Sequence, residues 1–266
     1  MKDSEFHFVQ MSDAHLLGKP SQEIHSVRPA HNLRAAVQYI NSLNPLPEFC
    51  IHTGDSVSEE SDKAYLLFKE EVASLKMPTY FAIGNHDNRA SFRKWVLTAT
   101  SPDDAPYYYD FELQGWHFIV LDSSDPGNIS GRIDDAQLLW LEQTLQHHPN
   151  LPTFVFLHHH PLPLGIPWLD KLMLQDAAPL IDVLRRAPGV QRVFFGHVHH
   201  ECHFSLDKLH FASVPALSFQ FSEIAGTEKF SSLPPGFRLV HVQGEIIRTL
   251  VHRRMKPILS DSNLRS

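Results

Sequence analysis

Val193-Phe194-Phe195-Gly196-His197-Val198-His199 is the stretch on which the reading of the chain turns. Three apolar or aromatic residues run into a glycine and then into two histidines spaced i, i+2. An apolar run of this kind predicts a strand buried on both faces, and the glycine predicts a tight turn at its carboxyl end. Two imidazoles delivered there would make half of a metal site. The same residues also fit two ordinary surface histidines after a strand. The chain has 19 histidines in 266 residues, so position, not residue type, has to sort ligands from bystanders. The deciding question is whether other strands end in the same way.

Four others do. Phe6 to Met11 alternates as a strand and breaks at Ser12-Asp13-Ala14-His15, where Asp13 and His15 share a side if extended backbone continues. Phe49-Cys50-Ile51-His52 lands on Thr53-Gly54-Asp55. Tyr80 to Ile83 runs into Gly84-Asn85-His86-Asp87, and Thr153 to Leu157 into His158-His159-His160-Pro161. Alternation there puts His158 and His160 on one side and His159 on the other, until proline ends the pairing.

Helical patterns separate these strands. Pro29 to Leu43 carries Leu33, Val37 and Ile40 at helical spacing, with Pro29 in the first turn. Ser61 is placed to cap a helix through Leu75 that turns Leu66, Leu67 and Val72 inward. A short helix is expected between Ala90 and Gly115. Asp134 or Asp135 would cap one through Leu145, with Leu138, Leu139, Leu141 and Leu145 as its apolar stripe. Pro179 to Arg186 gives the last. The run Tyr107-Tyr108-Tyr109 and the segment Trp116 to Leu121 read as strands, the former in a second sheet. After the opening stretch come short strands near His210 and Leu217, a loop from Glu223 to Gly236, and a hairpin about Gln243-Gly244. Alternating strands and helices followed by a run of strands predict one α/β domain with an added β layer over 1–255, and a polar tail over 256–266.

Composition narrows the function classes. Hydrophobic residues make up 42% and charged residues 20%, as in ordinary soluble domains. The net charge of -7 argues against a nucleic-acid track, so a small anionic ligand would need a local positive source, which metal ions supply. Cys50 and Cys202 form no CxxC pattern, which fits a reducing compartment. Met1 to Phe8 lacks the apolar core of a signal peptide, and no run is long enough for a membrane span. The expectation is a cytoplasmic protein without membrane or nucleic-acid partners.

Ligands of α/β sheets gather outside the carboxyl ends of the strands, so the five half-sites should converge. Imidazole, carboxylate and amide oxygen without thiolate suit manganese, iron or zinc better than magnesium. Seven donors are too many for one ion and about right for two, one carboxylate bridging.

The ordered set Asp13-Ala14-His15, Gly54-Asp55, Gly84-Asn85-His86-Asp87, His158 and Gly196-His197-Val198-His199 resembles the calcineurin-like metallophosphoesterase superfamily. The resemblance implies a four-layer α/β/β/α sandwich of two mixed sheets flanked by helices. It implies two metal ions, with iron or manganese first and zinc as an alternative. Asp13, His15 and His199 would hold the first, Asn85, His158 and His197 the second, and Asp55 would bridge. A metal-bound hydroxide would attack phosphorus in line, with His86 facing the leaving oxygen as general acid or charged donor. Substrate would meet His15, Asp55, Asn85, His86 and His199. Asp87 is open between orienting His86 and serving the turn. His160 could support His158, His159 reads as structural, and His52 and His200 as bystanders.

A narrower resemblance points to the substrate. Leu157 to Pro163, Pro167-Trp168-Leu169-Asp170, Asp122-Ser123-Ser124 with Gly131 and Gln137 to Leu141, and Pro234 to Arg238 look like the bacterial 3′,5′-cyclic-AMP phosphodiesterases of that superfamily. This implies hydrolysis of cyclic AMP to 5′-AMP by a monomer or homodimer. Glycerophosphodiesterase or broad phosphodiesterase activity at the same metals is the alternative. The extension after Asp13-Ala14-His15 departs from the pattern and is expected at the substrate entrance. Trp168, Phe219 and Phe221 are candidates for stacking a base, against the plainer role of packing.

Overall fold

The computed structural model describes residues 5–222, 230–253 and 255. The expected tail and part of the expected 223–236 loop lie outside the described residues. In chain order the elements are β1 (Glu5–Met11), α1 (Pro29–Ile40), β2 (Phe49–Thr53), α2 (Asp62–Val72), β3 (Thr79–Ala82) and α3 (Arg89–Trp95). Next come β4 (Tyr109–Leu113), β5 (Trp116–Val120), α4 (Asp135–His147), β6 (Thr153–Phe156), α5 (Ala178–Arg186) and β7 (Val190–Phe195). The chain closes with β8 (His203–Leu206), β9 (Leu209–Ser213), β10 (Gln220–Phe221), β11 (Phe230–Ser231), β12 (Gly236–Gln243) and β13 (Ile246–Arg253).

Two mixed sheets result. One has the order β13-β12-β1-β2-β3, parallel from β1 to β3 and antiparallel through the β12–β13 hairpin. The other has the order β4-β5-β6-β7-β9-β8, with a parallel centre and an antiparallel strand at each edge. Strand periodicity divides the side chains between layers. Phe6 and Phe8 of β1 face the second sheet, whereas Val9 and Met11 face α1 and α2. On β7, Phe194 faces the first sheet, and Val193 and Phe195 face α4 and α5. The four-layer α/β/β/α sandwich is therefore the observed architecture.

The layer between the sheets is largely phenylalanine: Phe6, Phe8, Phe49, Phe118, Phe154, Phe156 and Phe194 are all buried there. Phe8 and Phe49 stack at 4.9 Å and Phe156 and Phe194 at 5.3 Å. Truncating one such ring to alanine costs roughly 3–5 kcal/mol. Polar bridges join the sheets as well, among them Gln10 Nε2 to the Phe195 carbonyl at 3.0 Å. That bond ties the carboxyl ends of β1 and β7 to each other.

Some local expectations need correcting. Leu66 and Leu139 are 45% and 56% exposed, so the inward stripe of α2 is Ala64, Tyr65, Leu67, Phe68 and Val72, and α4 buries Gln137, Leu141 and Leu145. Gln137 goes inside because its side-chain amide pairs both ways with the Asp122 backbone, an option that leucine counting ignores. Ser61 sits at the start of α2 without capping it through its side chain, whereas Asp134 accepts from the Gln137 amide at 2.8 Å. Of the tyrosine run only Tyr109 enters a strand. Strand β8 was not anticipated, because His203-Phe204-Ser205-Leu206 is short, edge-placed and weakly apolar.

Candidate metal centre

Strands β1, β2, β3, β6 and β7 all stop just before their donor residues. The expectation that extended backbone carries Asp13 and His15 to one side is therefore corrected. Asp13, His15, Asp55, His197 and His199 all adopt left-handed backbone, with φ between 47° and 67°. That conformation is sterically costly for residues with a Cβ, and such outliers gather at functional sites. Here it curls each strand end back over its own carboxyl edge. Close approach is needed as well. A Cβ on Gly84 would collide with the Asp55 backbone and carboxylate, and one on Gly196 with the Ser12 hydroxyl and the Asp13 carboxylate.

Backbone hydrogen bonds lock the turns together. Asp13 N–H donates to the Gly54 carbonyl, His15 N–H to that of Asp55, and Gly196 N–H to that of His158, each at 3.0 Å. The His197 N–H donates to the Asp13 carboxylate at 3.1–3.2 Å.

The side chains form two groups that meet at one atom. In the first, His199 Nε2 lies 3.3 Å from Asp13 Oδ1 and 3.1 Å from His15 Nε2, which is 3.5 Å from Asp55 Oδ2. In the second, His158 Nε2 lies 3.1 Å from Asn85 Oδ1 and 3.3 Å from the same Asp55 Oδ2. The other oxygen of Asp55 accepts the His86 N–H at 2.9 Å. His197 completes the second group, its ring 5.1 Å from that of His158 and its Nε2 buried without a hydrogen-bond partner among the described residues.

The tautomers are fixed from behind. His199 Nδ1 donates to the Phe219 carbonyl at 2.8 Å, and His158 Nδ1 to that of Thr53 at 2.7 Å. Each ring thus turns a lone pair on Nε2 toward carboxylate and amide oxygens, which are also acceptors. Buried acceptors crowded against acceptors call for a cation among them. Electrostatics agree. Burial alone would raise Asp55, yet the surrounding imidazoles, His158 foremost, hold its carboxyl well below the ordinary range. Burial would likewise lower His158, but the Asp55 carboxylate lifts it to about 9, a proton standing where a metal would be expected. Asp13, His15, Asp55 and His199 bring donor atoms within 4.8 Å of one another, so the residues present fit divalent ions.

The histidine triplet resolves differently from strand alternation. Because β6 ends at Phe156, His159 is not turned away: its ring is 4.6 Å from His197, and its donor atom falls within reach of His158 and His197. Both of its nitrogens are engaged, Nδ1 with Ser123 Oγ at 2.9 Å and Nε2 with the Ile129 carbonyl at 3.0 Å. That is the geometry of a structural residue. His160 packs its ring along His197 at 5.8 Å. Asp87 belongs to the turn: its carboxylate accepts from the Ser56 and Gly84 amides, and His86 is oriented instead by the Ser58 carbonyl, 2.7 Å from Nδ1.

A cavity of about 230 Å³ opens over these donors. His15, Asp55, Asn85, His86, His197 and His199 form its floor. Its wall includes Ile24, His25, Trp168, Phe219, Phe221 and Phe230. Phe219 and Phe221 pack on His199 at 4.7 and 4.3 Å, and Trp168 meets Phe221 edge-on at 4.9 Å. His25 stacks on Phe230 at 3.9 Å. It is presented by a two-residue hairpin turn in which His25 and Ser26 are both left-handed and Ile24 pairs with Val27. The extension after His15 thus does reach the entrance. His25 and Phe230 escaped sequence reading; the positive-φ pair His-Ser between isoleucine and valine has no glycine or asparagine to announce a turn.

Histidine and carboxylate donors gathered at the carboxyl ends of a two-sheet sandwich form a setting suited to a hydrolytic metal centre. Residues 6–201 match the model of the calcineurin-like phosphoesterases, and the chain belongs to that family. It is 28% identical over 252 residues to the 3′,5′-cyclic adenosine monophosphate phosphodiesterase CpdA of Escherichia coli, covering 94% of this chain and 90% of that protein. It is 33% identical over 196 residues to a probable glycerophosphodiester phosphodiesterase, GpdQ, of Arcobacter nitrofigilis, covering 72% and 71%. Among solved structures a dimetal phosphatase from Danio rerio superposes with a TM-score of 0.68 at 16% identity, covering 93% of this chain and 98% of the other. Family membership brings with it divalent metal ions at the buried Asp/His cluster. No helix among the described residues is long and apolar enough to cross a membrane.

Proposed function

We propose that this chain is a 3′,5′-cyclic-AMP phosphodiesterase, yielding 5′-AMP at a centre of two ions. The carrying observation is that one cavity joins the donor floor to an aromatic wall. A phosphodiester on the floor leaves its substituent against the wall. An adenosine fills an apolar, aromatic surface, whereas a glycerol would leave that surface without a partner. The relatives support the same reading, since the cyclic-AMP enzyme aligns over more of the chain than the glycerophosphodiesterase.

In this proposal Asp13, His15 and His199 would hold one ion, Asn85, His158 and His197 the other, and the Asp55 carboxylate would be shared between them. When bound, the ions supply Lewis acidity at the phosphoryl oxygens and make water acidic enough to attack near neutral pH. Iron or manganese suits four imidazoles, two carboxylates and an amide, with zinc as the alternative. The carbonyls of Phe219 and Thr53 hold His199 and His158 in the ligating tautomer. Release of 5′-AMP breaks the P–O3′ bond, and the departing O3′ needs a proton. His86 would hold that proton at Nε2, because its Nδ1 is committed to the Ser58 carbonyl. The enzyme is further proposed to act as a single domain over 1–255, as a cytoplasmic monomer or homodimer without membrane or nucleic-acid partners. The net charge of -7 and free Cys50 and Cys202 accord with that.

The glycerophosphodiesterase reading is the competitor, favoured by the relative at 33% identity. Metal-reconstituted protein assayed on 3′,5′-cyclic AMP, cyclic GMP, 2′,3′-cyclic AMP, glycerophosphodiesters and aryl phosphate esters separates the two. We expect the highest kcat/KM on 3′,5′-cyclic AMP. Low activity there with high activity on glycerophosphodiesters would overturn the assignment.

A further inference from the structure

A second cluster of ligand-type side chains sits at the opposite end of the sheet. Glu112 of β4 and His117 of β5 are direct cross-strand partners, and Asp110 lies two residues before Glu112 on the same face. Trp116, Phe118 and Val120 point between the sheets, so His117 points outward, toward α4. There it meets His148, the capping residue just past the end of α4. The His117 and His148 rings are 4.4 Å apart. His117 Nε2 is 2.8 Å from Asp110 Oδ2, and His148 Nδ1 is 3.1 Å from Glu112 Oε1. His117 is five residues before Asp122, on the order of 17 Å of extended strand from the catalytic end.

We propose that Asp110, His117 and His148, with Glu112 closing the set, form a structural site for a divalent transition ion such as zinc.

Three observations carry it. Donor atoms of Asp110, His117 and His148 already lie within 4.8 Å of one another. Tetrahedral zinc with ligands near 2.1 Å sets donors roughly 3.4 Å apart, so small side-chain rotations close the shell. His117 is fully buried, and its Nδ1 has no hydrogen-bond partner among the described residues, an odd way to spend a histidine on a strand whose other residues are apolar. The cluster also sits at the carboxyl end of α4, where the helix dipole favours a cation. Two carboxylates and two imidazoles neutralise a dication without thiolate, a donor set that suits zinc. Burial, ahead of the opposing pull of Asp110, pushes the His117 imidazole below its ordinary value, which leaves the ring neutral and able to ligate at pH 7.

Such an ion would staple the β4 edge hairpin to α4 and leave the chemistry untouched. The test compares the full chain with His148→Gln, whose side chain is partly exposed, and with Asp110→Asn. All three are equilibrated with zinc, desalted and analysed for metal. We expect one ion per chain more in the wild type than in either variant, equal cyclic-nucleotide turnover, and a zinc-induced rise in Tm larger by about 5 °C in the wild type than in either variant. Because the count is a difference between chains, it does not depend on how many ions the catalytic centre holds. Equal metal content and an equal zinc response in wild type and both variants would overturn the proposal.

Discussion

The cavity has a floor and a wall, and they are built by opposite means. The floor is assembled at five strand ends, with Asp13, Asp55, His158 and His199 each fixed by a backbone carbonyl or amide and five donors held in left-handed backbone. The wall comes from loops and a two-stranded ribbon, and its rings touch one another through faces and edges, as His25 does Phe230 and Trp168 does Phe221. Polar ligation tolerates little displacement, so strain is accepted to obtain it. Stacking is tolerant of position, so the wall can change with the substrate while the floor keeps the reaction. The floor should then govern kcat and metal content, and the wall KM and selectivity.

The largest expected effect tests the hinge of the floor. Asp55→Ala removes the oxygen that lies within 3.5 Å of both His15 and His158. Turnover should fall by at least about 10³-fold, and metal analysis should find one ion or none. Two tightly bound ions in that variant would show that Asp55 is not shared. His86→Ala comes next: both ions should stay, while kcat on substrates with poor leaving groups drops by roughly 10²–10³-fold and activated aryl esters suffer much less. Loss of metal there would make His86 part of the floor's scaffold instead.

The floor was legible in the sequence and the wall only in part, through Trp168, Phe219 and Phe221, for a physical reason. A strand that must end in a donor leaves its mark locally: an apolar run such as Phe194-Phe195, a glycine that permits close approach, then histidine or aspartate. All seven expected donors do converge. What periodicity could not supply was how they converge, since left-handed turns replace the extended backbone that alternation assumes, and so His159 comes to face His197. The wall leaves no such mark. Its residues are far apart in sequence and lie in loops or a two-residue strand, where an aromatic residue looks the same whether it packs or binds, so Trp168, Phe219 and Phe221 stood only as candidates and His25 and Phe230 went unseen.

The wall is tested by Trp168→Ala and His25→Ala. Base stacking is worth about 1–3 kcal/mol, so KM for cyclic AMP should rise roughly 10-fold with kcat little changed. Hydrolysis of a small aryl phosphodiester, which has no base, should be unaffected. Equal losses on both substrates would mean that these rings support the floor and do not read the nucleoside.

The smallest effect sharpens the border between donors and core. His52 lies three residues before Asp55, yet it is fully buried, its ring meets Phe68 edge-on at 4.9 Å, and neither nitrogen has a hydrogen-bond partner among the described residues. It behaves as an aromatic core residue that happens to titrate. Burial lowers its pKa to about 4. The folded state therefore keeps it neutral, while the unfolded chain takes up a proton below about 6.5, so its contribution is intact above that pH and is lost as pH falls toward 4. His52→Phe should leave turnover and Tm at pH 7.5 nearly unchanged. At pH 5 the variant should be the more stable, by about 2 kcal/mol at most, read as a higher urea midpoint. A variant that instead loses metal or turnover at pH 7.5 would move His52 from the core to the floor and extend the metal centre one layer deeper into β2.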